Sequence, residues 1–283
     1  MLNKILNLPR PWIYLLVALA VAIPLILGWE LPVRVTPPVK NLFEEVESTP
    51  DSQAVLLSCD YDPSLVPELY PMTVAILRHC LSAKKHILIM SLYPQGVGLA
   101  QMALEDVKKE FPNAQEGIDY TFLGFTPGYS MVILGLGEDI HEVFPRDYYG
   151  NPIDSLPMMR KIHNFNDINV VITLCGSGIY STWVVYANTK YRQKVGVGAT
   201  AVIAPAIYPY LQTGQLVGLL GGLKGASEYE YLVYKKGYST GRRRACERMG
   251  AQTTTHLLII GMIILCNVLY SIQRRRRLSL IHI

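Results

Sequence analysis

Short apolar runs alternate along this chain with longer segments whose apolar residues recur every three or four positions. Residues 54–58, 86–92, 120–125, 168–175 and 194–199 are such runs. They predict strands buried on both faces, because a strand covered on two sides carries no polar alternation. The segments at 67–83, 97–111 and 179–191 predict amphipathic helices. Residues 205–211 predict a helical turn, and 215–234 a helix interrupted by Gly218, Gly221, Gly222 and Gly225. Residues 129–143 fit either a helix or a further strand. Strand and helix in alternation predict an α/β fold. The expected domain is Rossmann-like and three-layered, with a mostly parallel sheet of about five strands over residues 52–235.

Two stretches break this rhythm. Residues 11–29 carry no charge and are long enough to cross a bilayer, which takes roughly 20 apolar residues. Trp12, Tyr14 and Trp29 stand where interfacial aromatics belong. The apolar core is long for a signal peptide, and Glu30-Leu31-Pro32-Val33 offers no small-residue cleavage site. A second span is expected at 256–273, with Cys266 and Asn267 as helix-packing positions and the basic run 274–277 as its stop. The remaining segments are a basic N-terminal segment (1–10), a Pro- and Glu-rich linker (30–51) with one helical turn at 41–47, and a basic juxtamembrane segment (236–255). Basic residues flank both sides of the spans about equally. The short basic segment before the first span places both termini in the cytoplasm and the central domain outside it. The last six residues, Leu278-Ser279-Leu280-Ile281-His282-Ile283, resemble the in-frame translation of a transposon end used to tag sequencing libraries. That resemblance implies a metagenomic origin and sets these residues outside fold reasoning.

Half of the residues are hydrophobic and mean hydropathy is +0.23, and the two spans account for much of the excess. Net charge is +4. Eight arginines at 242–244, 248 and 274–277 supply that excess, and the remainder is mildly acidic. Such a distribution argues against a nucleic-acid partner. The five cysteines share no metal-ligand spacing, which predicts buried thiols rather than a disulfide framework. Tyrosine is abundant, at 18 against six phenylalanines. It suits half-wet surfaces near a membrane or a partner.

Candidate chemistry collects where apolar runs end, because ligands of open α/β sheets sit at the carboxyl ends of the strands. Asp60 and Asp62 follow the first run. They suit a Mg²⁺ ion or an acid–base pair, or an Asx-turn before Pro63. Tyr93, Gln95 and Gly96 follow the second run, and Thr200 follows the fifth. Cys175-Gly176-Ser177-Gly178 follows the fourth, and its amides suit an anion at a helix start. Cys175 and Ser177 are candidate nucleophiles there. His79, His86, His141 and His163 supply no clear base. The chain has no GxGxxG after its first strand and no GxxxxGK[ST], so no dinucleotide or P-loop cofactor is implied. Gly218 to Gly225 has the look of a phosphate loop, but no strand-to-helix turn is expected to frame it. Helix packing, or a short membrane-contacting segment at 215–223, is the expected role. The long Pro- and Asp-rich loop 144–167 has the length of a functional lid.

The function expected is a membrane-anchored α/β domain that binds a small anionic ligand or a partner protein, as a subunit of a membrane complex. The alternative is a membrane-anchored hydrolase or transferase using Asp60 and Asp62 with the Cys175-Gly176-Ser177-Gly178 loop. A scaffold without a pocket at that edge is a third reading.

Overall fold

The computed structural model describes residues 9–239, 241 and 243–281, with side chains through residue 274. The basic segment before residue 9, Arg242, the side chains of Arg275 to Arg277 and the end of the six-residue tail lie outside the described residues. The chain forms two units, Val33–Ala245 and a pair of terminal segments, Met1–Pro32 with Cys246–Ile283.

The first unit is built on one six-stranded, all-parallel sheet: β1 (Ala54–Asp60), β2 (His86–Ser91), β3 (Tyr120–Phe125), β4 (Ile168–Cys175), β5 (Val195–Ala199) and β6 (Gly218–Gly221). Their order is β3-β2-β1-β4-β5-β6. Five strands were expected, and the sixth lies inside the segment expected to be one helix. β6 has two glycines and no β-branched residue, so its composition hides it. Glycine is required at Gly218 by close packing: a Cβ there would lie 2.5 Å from the carbonyl oxygen of Pro38. A β-strand at 218–221 also removes the expected membrane-contacting segment.

β1 is buried along its whole length, and its residues divide by parity between two cores. Val55, Leu57 and Cys59 face one layer, made by α2 (Pro37–Glu47), α3 (Val66–Ser82), α4 (Pro94–Lys108) and, after β6, α9 (Gly222–Lys235). Ala54 and Leu56 face the other. That layer contains α5 (Tyr129–Glu138), the short α6 (Ile140–Val143), α7 (Ile179–Trp183, continuing as a π-helix over Val184–Thr189) and α8 (Ala204–Gln212). The ambiguous stretch 129–143 is thus helical.

α2 enlarges the domain beyond the expected 52–235. Pro37 and Pro38 occupy the first helical positions, where a missing N–H costs nothing. Val39, Leu42, Phe43 and Val46 then form a buried stripe at helical spacing. The linker therefore contributes a core helix rather than a spacer with a single turn.

The 144–167 loop is not a free lid. Ile153, Leu156, Met158, Met159, Ile162 and Phe165 are buried in the second core. The loop covers β3, the strand at one end of the sheet: the Tyr148 amide donates to the Phe122 carbonyl at 2.7 Å. Covering an edge in this way blocks pairing with another chain. The Phe122 amide donates to Glu116 at 2.8 Å. The other Glu116 oxygen is buried with no hydrogen-bond partner among the described residues. Burial, and then the nearby Asp147 charge, push the Glu116 carboxyl up to about 7.

This acid binds a proton in the folded protein at pH values where the unfolded chain has released it. Stability should therefore fall as pH rises from about 4.5 to about 7. Solvent screening of a half-buried group leaves roughly 1–2 kcal/mol of the effect. Glu116→Gln keeps the acceptor for Phe122 and should flatten that slope. Thermal unfolding of both proteins across this range checks it, and parallel curves would rule it out.

The terminal unit contains α1 (Arg10–Leu27) and, from Cys246 on, α10 (Arg244–Ile281). Both are long and apolar enough to cross a membrane, and little of either is buried. The Thr254 hydroxyl donates to the Ala20 carbonyl between them at 2.9 Å. Cys266 and Asn267 line an apolar groove shared with Ile13 and Val17 of α1.

Candidate functional site

In strand order β3-β2-β1-β4-β5-β6 the chain reverses direction across the sheet between β1 and β4, and open α/β sheets bind ligands in the crevice at such a point. Asp60 and Cys175, the last residues of β1 and β4, stand opposite each other in register. The loops after β2 and β4 meet above them: the Tyr93 hydroxyl lies 3.2 Å from the Ser177 hydroxyl. Tyr93 also stacks on Tyr129, with ring centroids 5.6 Å apart.

Asp60 lies beneath this bridge and is 1% exposed. One carboxylate oxygen accepts from the Leu92 amide and the Ser58 hydroxyl, both at 2.7 Å. The other accepts from the Thr173 hydroxyl at 2.8 Å and the Trp183 indole at 3.3 Å. Burial pushes this carboxyl up, against the pull of those four donors. No histidine, lysine or arginine is among the groups that shift it. Asp60 therefore joins β1, β2, β4 and α7 from within and has no face turned to a ligand.

Asp62 does not join it. Its carboxylate accepts from the Ser64 amide at 2.8 Å and caps the turn Pro63–Leu65. Hydrogen bonding from Ser64 holds its carboxyl below the usual range. The two carboxylates thus form neither a metal pair nor an acid–base pair: one is a core hub and the other an Asx-turn.

Cys175 is buried, and burial, followed by the Asp60 charge, pushes its thiol up to about 12. A thiol in that state is a poor nucleophile at neutral pH. Amides of Tyr180 and Ser177 are directed at its sulfur. Gly176 is shielded by Leu65, whose Cδ1 would lie 2.1 Å from a Cβ placed there. Gly178 is exposed, and a Cβ there would meet no atom within 4 Å. It stands at the start of α7. Gly96 docks α4 onto β1, because a Cβ would lie 1.9 Å from the Cys59 carbonyl oxygen. Gln95 is exposed in the first turn of α4. Thr200 is buried, and its carbonyl accepts from the Ile203 and Ala204 amides. Of the expected residues, Tyr93, Gln95, Ser177 and Gly178 therefore offer surface at this edge, whereas Asp60, Gly96, Cys175 and Thr200 build its floor.

The glycine-rich segment is framed by a strand-to-helix turn after all, from β6 into α9. Gly222 has φ +57°, which favours glycine. Glu68 is the anion at this turn: its carboxylate accepts from the Ala201 amide at 2.8 Å and lies beside Gly222.

Tyr129, Trp183 and Thr173 were not expected at the site. Thr173 had a signal, a polar residue inside an apolar run. Trp183, 123 positions after Asp60, had none. No protein-family model, curated protein or solved structure matches the chain.

Proposed function

We propose that this chain is a membrane-anchored binding module that holds a small anionic ligand at the carboxyl edge of its sheet, where the loops after β2 and β4 meet. The observation that carries the reading is the Tyr93–Ser177 bridge over the β1–β4 reversal point. It offers hydroxyl donors and an exposed helix start, but the acid and thiol beneath it, Asp60 and Cys175, are sealed. That arrangement favours holding a ligand over making or breaking bonds, because general acid–base and nucleophilic steps need a group in reach of the reacting atom. α1 and α10 serve as the anchors. The domain faces away from the cytoplasm, and both termini lie within it. The short basic N-terminal segment supports that orientation.

A partner protein in a membrane complex is the second reading. Exposed apolar residues at the same edge favour it, above all Val202, 86% exposed, and Met131, 75% exposed.

Gly178→Glu tests the anion. It adds a carboxylate in open space at the start of α7, so it should leave the fold intact and repel the ligand. Thermal shift of the detergent-solubilised chain with inorganic phosphate, nucleoside phosphates and dicarboxylates is the measurement. A ligand at 100 times its Kd should stabilise the wild type by roughly 2.7 kcal/mol and the variant not at all. Equal shifts would remove this site. Gly176→Val is the poorer test, since it collides with Leu65.

A further inference from the structure

A second group of side chains gathers before the start of β4, at the opposite edge of the sheet. Asp139, His141 and His163 each bring one donor atom to a common point, and these atoms all lie within 4.8 Å of one another. Donor atoms around a tetrahedral zinc stand roughly 3.4 Å apart, given bonds of about 2.0–2.2 Å. Small side-chain rotations would close the difference.

The backbone fixes these groups in place. The Ile140 amide donates to the His163 carbonyl at 2.7 Å, and the His163 amide donates to Asp167 at 2.8 Å. Asp139 caps α6 by accepting from the His141 amide at 2.9 Å. The His141 and His163 rings stack at 4.6 Å.

The hydrogen bonds of His141 select its ligating nitrogen. Nε2 lies 3.0 Å from both the Met159 and the Ile162 carbonyl oxygens. Carbonyls only accept, so Nε2 carries a proton. Nδ1 shares a proton with the Asp154 carboxylate 2.5 Å away, and an incoming metal ion would take that proton's place. A histidine that donates its far N–H to backbone carbonyls is oriented as metal-ligating histidines are. The Asp154 side chain is otherwise largely exposed and free to turn toward an ion.

We propose that Asp139, His141 and His163, completed by Asp154, form a zinc-type metal site that fastens the 144–167 loop to α6. Two imidazoles with carboxylates suit zinc and its d-block neighbours, whereas magnesium and calcium prefer oxygen alone. The ion would join residues just before the loop to residues within it, and clips that close long loops stabilise the fold.

The test is a zinc titration of the detergent-solubilised full chain against a chromophoric chelator, with magnesium as the comparison. Wild type should bind one zinc and not exchange it for magnesium. His163→Ala should weaken zinc binding on the order of tenfold or more, with metal-free unfolding little changed, because the exposed His163 ring stacks on His141 but makes no side-chain hydrogen bond among the described residues. Asp139→Asn, which keeps the cap on α6, should weaken it too. No stoichiometric zinc, equal affinity in both variants, or competition by magnesium would overturn the site.

Discussion

Asp60→Ala should destabilise the α/β domain by about 3–5 kcal/mol, because it leaves four buried donors without an acceptor. The Leu92 amide and the Trp183 indole cannot turn away, and the Ser58 and Thr173 hydroxyls lie in the same dry space. For a domain of this size the loss corresponds to a fall of roughly 10 °C or more in Tm. Asp62→Ala removes only an exposed turn cap and should cost about 1 kcal/mol or less. Asp60→Asn keeps the shape but sets an amide N–H₂ against donors, so it should fall between the two. Thermal unfolding of the three variants checks the order. A site carboxylate held ready for a ligand would give the opposite pattern, with Asp60→Ala as stable as wild type or more so.

The second large effect concerns His79, which is wholly buried where α2, α3 and α9 meet. Its ring stacks on Phe43 with centroids 4.1 Å apart. Nδ1 lies 2.8 Å from the Tyr229 hydroxyl and Nε2 lies 2.9 Å from Glu47. A neutral ring that accepts from Tyr229 and donates to Glu47 satisfies every partner. Burial drives its pKa down to about 4, against the pull of Glu47. Between pH 6.5 and 4 the unfolded chain binds this proton and the folded chain does not. Stability is therefore complete above about 6.5 and is lost as pH falls toward 4. The loss should be about 3 kcal/mol. His79→Ala should cost about 3–4 kcal/mol at neutral pH, through the cavity and the stranded Tyr229 hydroxyl, and should remove this part of the acid sensitivity. Unfolding curves at pH 7, 5.5 and 4 check both statements. An unchanged acid slope in the variant would contradict them.

Much of the sheet was legible because a buried parallel strand is a near-continuous apolar run. β1, β2, β3, β4 and β5 are such runs. β6 was hidden because close packing against Pro38 and Leu42 demands glycine where a strand ordinarily shows β-branched residues. α2 was hidden behind its own prolines, which mark a spacer in one context and a helix start in another. Its Val39-Leu42-Phe43-Val46 stripe was present and decides between them. At the site, the strand ends located Asp60 and Cys175 correctly in the chain. Their burial depends on Trp183 and on the loops above, which no local pattern reports. Asp62 was legible as a cap, from its place before Pro63.

Hydrogen–deuterium exchange of the full chain in detergent, with and without the phosphate or carboxylate compound that stabilises it most, tests the central reading most directly. Binding at the sheet's carboxyl edge predicts slowed exchange in residues 93–97 and 176–181, with the remaining amides unchanged. Protection confined to another surface, or no protection with any compound of the series, would contradict it.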